Sequence, residues 1–287
     1  MENGELAGQL LFILAVASSL TWCAIIFGRI RRRPLLAYEP RRQVPWTGFD
    51  VAVVVALAVL SAVLVPAVVF LQFGVDPRNE RTPQYVDALL TAVLLSEIIT
   101  LLSSAGYLLA RGFDHKSLGF DTRRLGYDVT VGVVAVLALD FPLLMIQGIL
   151  TRLWESHHPL IDVIRRNPSP ETLSALAVVA VLLAPLLEEF VFRVVIQGWL
   201  EKRLRSWRRR VPQLRALPAG MLPITISAAL FASLHANGPD PVPIFLLGLA
   251  LGYLYHQTHR IFPGLVLHMC FNGITMVLLA ASLGAPA

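Results

Sequence analysis

Three charged residues lie close together in a part of the sequence that is otherwise apolar. Glu188 and Glu189 follow Pro185, and Arg193 comes four residues after the second glutamate. Each ionised group at the centre of a membrane helix costs about 2.5–3.5 kcal/mol on insertion scales. Glu189 and Arg193 lie one helical turn apart and can form an ion pair. Glu188 lies about 100° around the helix, without a partner in its own segment, and is the candidate catalytic carboxylate.

Pro185 adds a second feature to this segment. Proline cannot donate a backbone hydrogen bond, so an α-helix at this point leaves the carbonyl of Val181 without its partner and tends to bend. A bend one turn before Glu188 is expected to open a hydrated pocket. The alternative interpretation is a purely structural polar knot between helices.

Two histidines and an amide occur further along the chain. His235 follows Phe231 at the end of an apolar run, and His268 and Asn272 lie one turn apart in the last apolar run. A lone histidine in such a run is usually a core residue. Together with a free carboxylate, however, these groups supply a base and hydrogen-bond donors for hydrolysis.

The elements that must hold these residues are membrane helices. The chain has 287 residues, 56% hydrophobic and 15% charged, whereas about a quarter of the residues in a soluble domain are charged. A span needs about 20 apolar residues. The sequence therefore predicts an all-α, polytopic bundle of about eight transmembrane helices. The segments are about 6–28, 50–73, 86–110, 128–150, 172–200, 218–235, 242–257 and 262–283.

The basic residues indicate membrane orientation rather than nucleic-acid binding. They are concentrated in the loops after the first, third and fifth segments, around residues 29–42, 111–124 and 202–215. The positive-inside rule then predicts that both termini lie outside and that these three loops are cytoplasmic. Cys23 and Cys270 lie in different apolar segments, which gives no disulfide framework. A bacterial cytoplasmic membrane is the expected location.

The motifs around Glu188, Phe231-x-x-x-His235 and His268-x-x-x-Asn272 resemble those of the CPBP family. This is the group of CAAX proteases and bacteriocin-processing proteins, which includes the Ras-converting CAAX endoprotease. Gly248-x-x-x-Gly252 is also similar to the family pattern. The resemblance covers about residues 170–280.

The resemblance implies an intramembrane endopeptidase that cleaves near the C-terminus of a membrane-associated peptide or protein. Glu188 would activate water with help from His235, and His268 with Asn272 would stabilise the oxyanion. Glu189 and Arg193 would hold the geometry as supporting residues. The expected organisation is one integral domain over residues 1–287, with peripheral N-terminal helices in 1–127 and the catalytic core in 128–283.

Several alternatives stay open from the sequence. Glu188, His235 and His268 could instead hold a zinc ion, although a site that requires no cofactor is favoured. A non-catalytic scaffold or bacteriocin-immunity-type protein would use the same cleft to bind a peptide. A proton-coupled transporter would use Glu188 with Glu97 and Asp140. The expected partners are membrane lipid and the peptide substrate, with no nucleic acid.

Overall fold

The structure is a computed structural model that describes residues 2–40, 43–78, 83–153, 169–235 and 241–283. Within these ranges every regular element is a helix, which confirms the all-α prediction. Two short 3₁₀ turns, Thr122–Arg124 and Pro212–Arg215, lie between longer helices. The longer helices are α1 Glu2–Ile30, α2 Gly48–Phe73, α3 Pro83–Ala110, α4 Leu125–Leu153, α5 Pro170–Arg210, α6 Met221–Ser233, α7 Pro241–Thr258 and α8 Phe262–Leu283.

Each of the eight predicted segments corresponds to one of these helices, but the helices differ in length. Among the described residues, six helices are long and apolar enough to cross a membrane: α1 to α5 and α8. Helix α6 has 13 residues, a length of about 20 Å at 1.5 Å per residue. Helix α7 has 18 residues and ends in the polar residues His256, Gln257 and Thr258. The bundle therefore combines six long helices with two shorter ones.

Helix α5 is not a regular α-helix. Two segments of it, Val178–Leu183 and Glu189–Gln197, are π-helical, with an α-helical turn at Ala184–Glu188 between them. A π-segment pairs each N–H with the carbonyl five residues earlier, and such segments are frequent at functional sites. Glu188 and Glu189 lie at the junction between the α-helical turn and the second π-segment.

The N-terminal helices and the loops between them pack directly against α5. Trp46, in the loop before α2, is fully buried, and its indole N–H donates to the Val195 carbonyl at 3.0 Å. Val44 and Leu118 belong to the same apolar cluster as Phe190. This part of α5 is therefore covered on one side by loop residues from the first half of the chain.

Two glycines allow α7 to lie against α6 and α5. A Cβ atom at Gly248 would come within 3.1 Å of the Ala228 Cα atom in α6. A Cβ atom at Gly252 would come within 2.9 Å of the Gln197 side-chain oxygen in α5. Small residues at this spacing permit such close contact between membrane helices.

A buried ion network joins the loop before α8 to the start of α4. Arg260 donates through Nε and Nη2 to the two oxygens of Asp128, both at 2.7 Å. It also contacts Glu39, with Nη2 3.1 Å from Oε1. The hydrogen bond from Arg260 lowers the pKa of the Glu39 carboxyl below its ordinary value of 4.5. Bidentate arginine pairs of this kind fix both distance and orientation.

Candidate active site

Three helices bring a carboxylate and two imidazoles together. The Glu188 Oε1 atom in α5 lies 3.7 Å from Nε2 of His235, just after α6. Its Oε2 atom lies 3.4 Å from Nε2 of His268 in α8. Glu188 therefore stands between two histidines that come from different elements.

The short length of α6 explains how His235 reaches Glu188. Because α6 ends at Ser233 after 13 residues, His235 lies just beyond its C-terminal end, four residues after Phe231. His235 Nδ1 lies 3.0 Å from the Phe231 carbonyl oxygen. A carbonyl only accepts hydrogen bonds, so this contact places a proton on Nδ1 and orients Nε2 towards Glu188. The sequence Asn237-Gly238-Pro239 predicts a turn shortly after His235, and these three residues lie outside the described ranges.

His268 lies between the two adjacent glutamates. Its Nδ1 atom is 3.3 Å from Glu189 Oε1, and its Nε2 atom is 3.4 Å from Glu188 Oε2. Ionised carboxylates are acceptors only, and an imidazole can serve two acceptors only when both of its nitrogens carry protons. Each ring nitrogen of His268 thus faces one of the two carboxylates.

Exposure divides the cluster into an open part and a closed part. The side chains of Glu188 and His235 are 23% and 28% exposed, whereas those of His268, Glu189 and Arg193 are 3%, 1% and 1% exposed. The first two residues are therefore partly accessible. The other three form the buried wall of the site.

The wall contains the ion pair that the sequence predicted. Arg193 Nη2 lies 3.3 Å from Glu189 Oε1. The two groups form an ion pair, but the N–H of Nη2 does not make a hydrogen bond to this oxygen. Gly264 in α8 makes room for this carboxylate, since a Cβ atom there would lie 2.9 Å from Glu189 Oε2. Two charges at such low exposure need each other, because a single buried charge is strongly destabilising.

One face of α6 supports the site with residues for which the sequence motifs predicted no role. Ser227 Oγ is 3.4 Å from Arg193 Nη1 and donates to the Phe192 carbonyl at 2.9 Å. The Phe231 ring lies 4.8 Å from the Arg193 guanidinium carbon and packs against both histidine rings. Ser227, Phe231 and His235 recur every four residues. That spacing places them on one helical face. It is the feature of the sequence from which their supporting position could have been predicted.

Asn272 has a different immediate partner from the one its predicted role requires. Its Nδ2 atom donates to the Ala180 carbonyl at 2.7 Å. In the π-segment of α5 the Ala184 N–H pairs with Val179, five residues earlier, and the same register assigns Ala180 to Pro185, which has no N–H. The orphan carbonyl is therefore Ala180, and the expectation of Val181 was wrong because it assumed α-helical spacing. Asn272 uses one N–H here and has a second one available.

The metal-binding capacity of the site depends on its acidic and histidine side chains, and Asp140 and Glu97 are further acids in the membrane helices. Among the described residues, no group of three or more His, Cys, Asp or Glu side chains is arranged to hold a metal ion. The zinc hypothesis for Glu188, His235 and His268 stays a prediction.

Asp140 in α4 is fully buried, and neither of its oxygens has a hydrogen-bond partner in the described part of the chain. Glu97 in α3 has Glu188 as an electrostatic neighbour, which brings a third acidic side chain towards the cluster.

The helices that form this cluster match a known family. Residues 170–274 match the family model described as "Type II CAAX prenyl endopeptidase Rce1-like". This part of the chain is similar to that family. The resemblance to the CAAX-protease group, drawn from the motifs alone, is thereby confirmed. The match contains every residue of the cluster: Glu188, Glu189, Arg193, His235, His268 and Asn272.

A curated relative supports the same family. The chain is 30% identical over 97 residues to "Membrane-embedded CAAX protease MroQ" of Staphylococcus aureus (strain USA300). The aligned region is 33% of this chain and 36% of the relative, so the chain matches about a third of the relative's length. No solved structure matches the chain.

Proposed function

We propose that the chain is an intramembrane endopeptidase that hydrolyses a peptide bond near the C-terminus of a membrane-associated peptide or protein. One observation carries this proposal: the partly exposed Glu188 carboxylate lies within 3.7 Å of two imidazoles from other helices. The family match over residues 170–274 and the name of the relative support a protease. Charged groups inside hydrocarbon are costly, and they commonly mark functional sites.

The proposed nucleophile is a water molecule between Glu188 and His235. Their 3.7 Å separation is too long for a direct hydrogen bond, and both side chains are partly exposed. Glu188 takes a proton from this water as its oxygen attacks the carbonyl carbon of the scissile amide. His235, held by the Phe231 carbonyl, accepts or donates the other hydrogen bond of the water. General base catalysis of this kind contributes about 10²- to 10⁴-fold in rate.

The negative charge that forms on the substrate oxygen needs donors nearby. His268 carries an Nε2 proton towards this region when its Nδ1 proton is held by Glu189, and the second N–H of Asn272 is the other candidate donor. A donor of this type is worth about 3–4 kcal/mol in the transition state. The proton that Glu188 took from water then goes to the leaving nitrogen as the carbon–nitrogen bond breaks. Atoms and charge balance without a further reactant.

The proposed enzyme has a catalytic core, peripheral N-terminal helices and a defined orientation in the membrane. Residues 128–283 supply the catalytic core, and the helices in 1–127 are peripheral to the chemistry. Both termini lie outside a bacterial cytoplasmic membrane, with the three arginine-rich loops on the cytoplasmic side. Hydrolysis at this site requires no cofactor. The substrate class is a membrane-associated peptide.

The test is cleavage of membrane-anchored peptides by the purified full chain in lipid nanodiscs. Mass spectrometry of the products identifies the bond that is cut. Glu188→Ala should lower the cleavage rate about 10²- to 10⁴-fold while leaving the helix content and melting temperature unchanged. Stable peptide binding by both proteins without cleavage would instead support the scaffold. A cleavage rate of Glu188→Ala close to that of wild type would contradict the proposed base.

A further inference from the structure

An apolar groove runs between α1, α4 and α7 and shares no residue with the carboxylate–histidine cluster. It consists of two adjoining cavities of about 320 and 490 Å³ that have Trp22, Ile25, Leu35, Leu36 and Tyr253 in common. Binding sites for small ligands have volumes of about 300–1,000 Å³. We call this feature the α1–α4–α7 groove.

A proline in α4 shapes the closed end of the groove. Pro142 has no N–H, so the Ala138 carbonyl lacks its helical partner. The Trp22 indole N–H donates to this carbonyl at 2.9 Å, and the Ser18 hydroxyl donates to it at 3.1 Å. These two bonds fix α1 against α4, while the Trp22 ring stays 42% exposed and lines the groove.

The mouth of the groove is basic. Arg29 lines the outer cavity together with Gln257, at the membrane face where α1 ends, α7 ends and α4 begins. The guanidinium of Arg29 donates to the Arg33 carbonyl at 3.3 Å, and it forms no ion pair with any carboxylate of the described residues. Glu39, the acidic residue of the loop after α1, is already bound to Arg124 and Arg260.

We infer that the α1–α4–α7 groove binds an anionic phospholipid, with one acyl chain along the apolar walls and the phosphate at Arg29. The groove faces the surrounding lipid, where acyl chains are the abundant apolar ligand. A free phosphate would leave the apolar walls unfilled. A zwitterionic lipid also has a phosphate, but its headgroup has no net charge and gains less from the basic mouth of the groove. Basic residues at the cytoplasmic end of membrane helices attract anionic headgroups, and Arg31, Arg32 and Arg33 add to the charge beside Arg29.

The test counts the lipids that remain bound to the full chain. The protein is equilibrated in nanodiscs of equal parts phosphatidylglycerol and phosphatidylcholine, released into detergent and measured by native mass spectrometry. Wild type should retain phosphatidylglycerol in preference to phosphatidylcholine. Arg29→Gln should lower the retained phosphatidylglycerol about five-fold, the effect expected from removing one basic residue near an anionic surface. Arg152→Gln, which removes an equal charge from the other end of α4, should leave retention unchanged.

A second variant tests the apolar walls. Ala250→Phe places a large ring in the 320 Å³ cavity of the groove. It should remove the bound lipid while Arg29 is intact. If its melting temperature shows that it does not fold, Ala250→Leu takes its place. Equal retention of both lipids, or full retention in Arg29→Gln, would overturn the inference. Displacement of the lipid by a membrane-anchored peptide would also overturn it, because the groove would then belong to the substrate.

Discussion

Replacing Glu189 by glutamine should destabilise the bundle, because it leaves Arg193 charged and buried. The two side chains are 3.3 Å apart and each is 1% exposed. At this distance, with an effective dielectric constant of about 20, their attraction is about 5 kcal/mol. Removing one member of a buried pair costs about 3–5 kcal/mol in measured cases. We therefore expect Glu189→Gln to lower the free energy of unfolding by about 3–5 kcal/mol.

The assay is reversible denaturation in mixed micelles, monitored by far-ultraviolet circular dichroism. The matched control is Glu188→Gln, whose side chain is 23% exposed. Because solvent reaches this side chain, we expect its substitution to change the free energy of unfolding by less than about 1 kcal/mol. The double variant Glu189→Gln/Arg193→Met removes the unpaired charge and should regain most of the lost stability.

The result that refutes this reasoning is a similar, small effect of both glutamine substitutions. The ion pair would then contribute little, and the buried wall would owe its stability to packing alone. Failure of Arg193→Met to restore stability would mean that Glu189 acts mainly through His268. In that case the charge balance assigned to the pair would be wrong.

Further predictions concern other parts of the fold. Asn272→Leu should lower the free energy of unfolding by about 1–3 kcal/mol in the same denaturation assay, since the Ala180 carbonyl loses its partner inside the membrane. Glu39 has a lowered pKa because of its hydrogen bond from Arg260. Its stabilising contribution should thus be complete above about pH 4.5 and decline at lower pH, and Glu39→Gln should weaken this decline in melting curves recorded against pH. Gly248→Leu should lower the melting temperature, with a cost of about 1–3 kcal/mol for overpacking. Dialysis against a chelator should leave the cleavage rate unchanged if no metal takes part.

Much of the architecture followed from the sequence because membrane insertion imposes simple requirements. Apolar runs of sufficient length must become helices, since lipid offers no partner for unpaired backbone groups. Because these runs are helical, residues four positions apart lie on the same face. The ion pair of Glu189 and Arg193 could therefore be predicted. The number of full spans was harder to predict. Helix α6 is apolar overall, but hydropathy does not show that it ends early.

The π-helical register of α5 was the main feature that the sequence did not reveal. Residue spacing alone assumes an α-helix, so the unpaired carbonyl was assigned to Val181 rather than to Ala180. Burial of Trp46 against Val195 also depends on contacts between distant parts of the chain. Such contacts have no periodic signal in the sequence.

The proximity of His235 to Glu188 was predicted in part by the sequence motifs and explained in part only by the three-dimensional structure. The motifs indicated that Glu188, His235 and His268 belong together, while simple counting placed His235 near the outer end of its segment. The short α6 and the contact of His235 with the Phe231 carbonyl account for the position in the structure. A helix boundary, which is set by tertiary packing as much as by propensity, decided the geometry.

A double-mutant cycle on the cleavage rate tests the central hypothesis most directly. Groups that act as one catalytic unit are strongly non-additive: once one is lost, removing the second costs little more. The rate of Glu188→Gln/His235→Ala should therefore equal that of Glu188→Gln alone, measured in nanodiscs with the same membrane-anchored peptide. Independent, multiplicative losses from the two substitutions would contradict a shared reaction centre at Glu188.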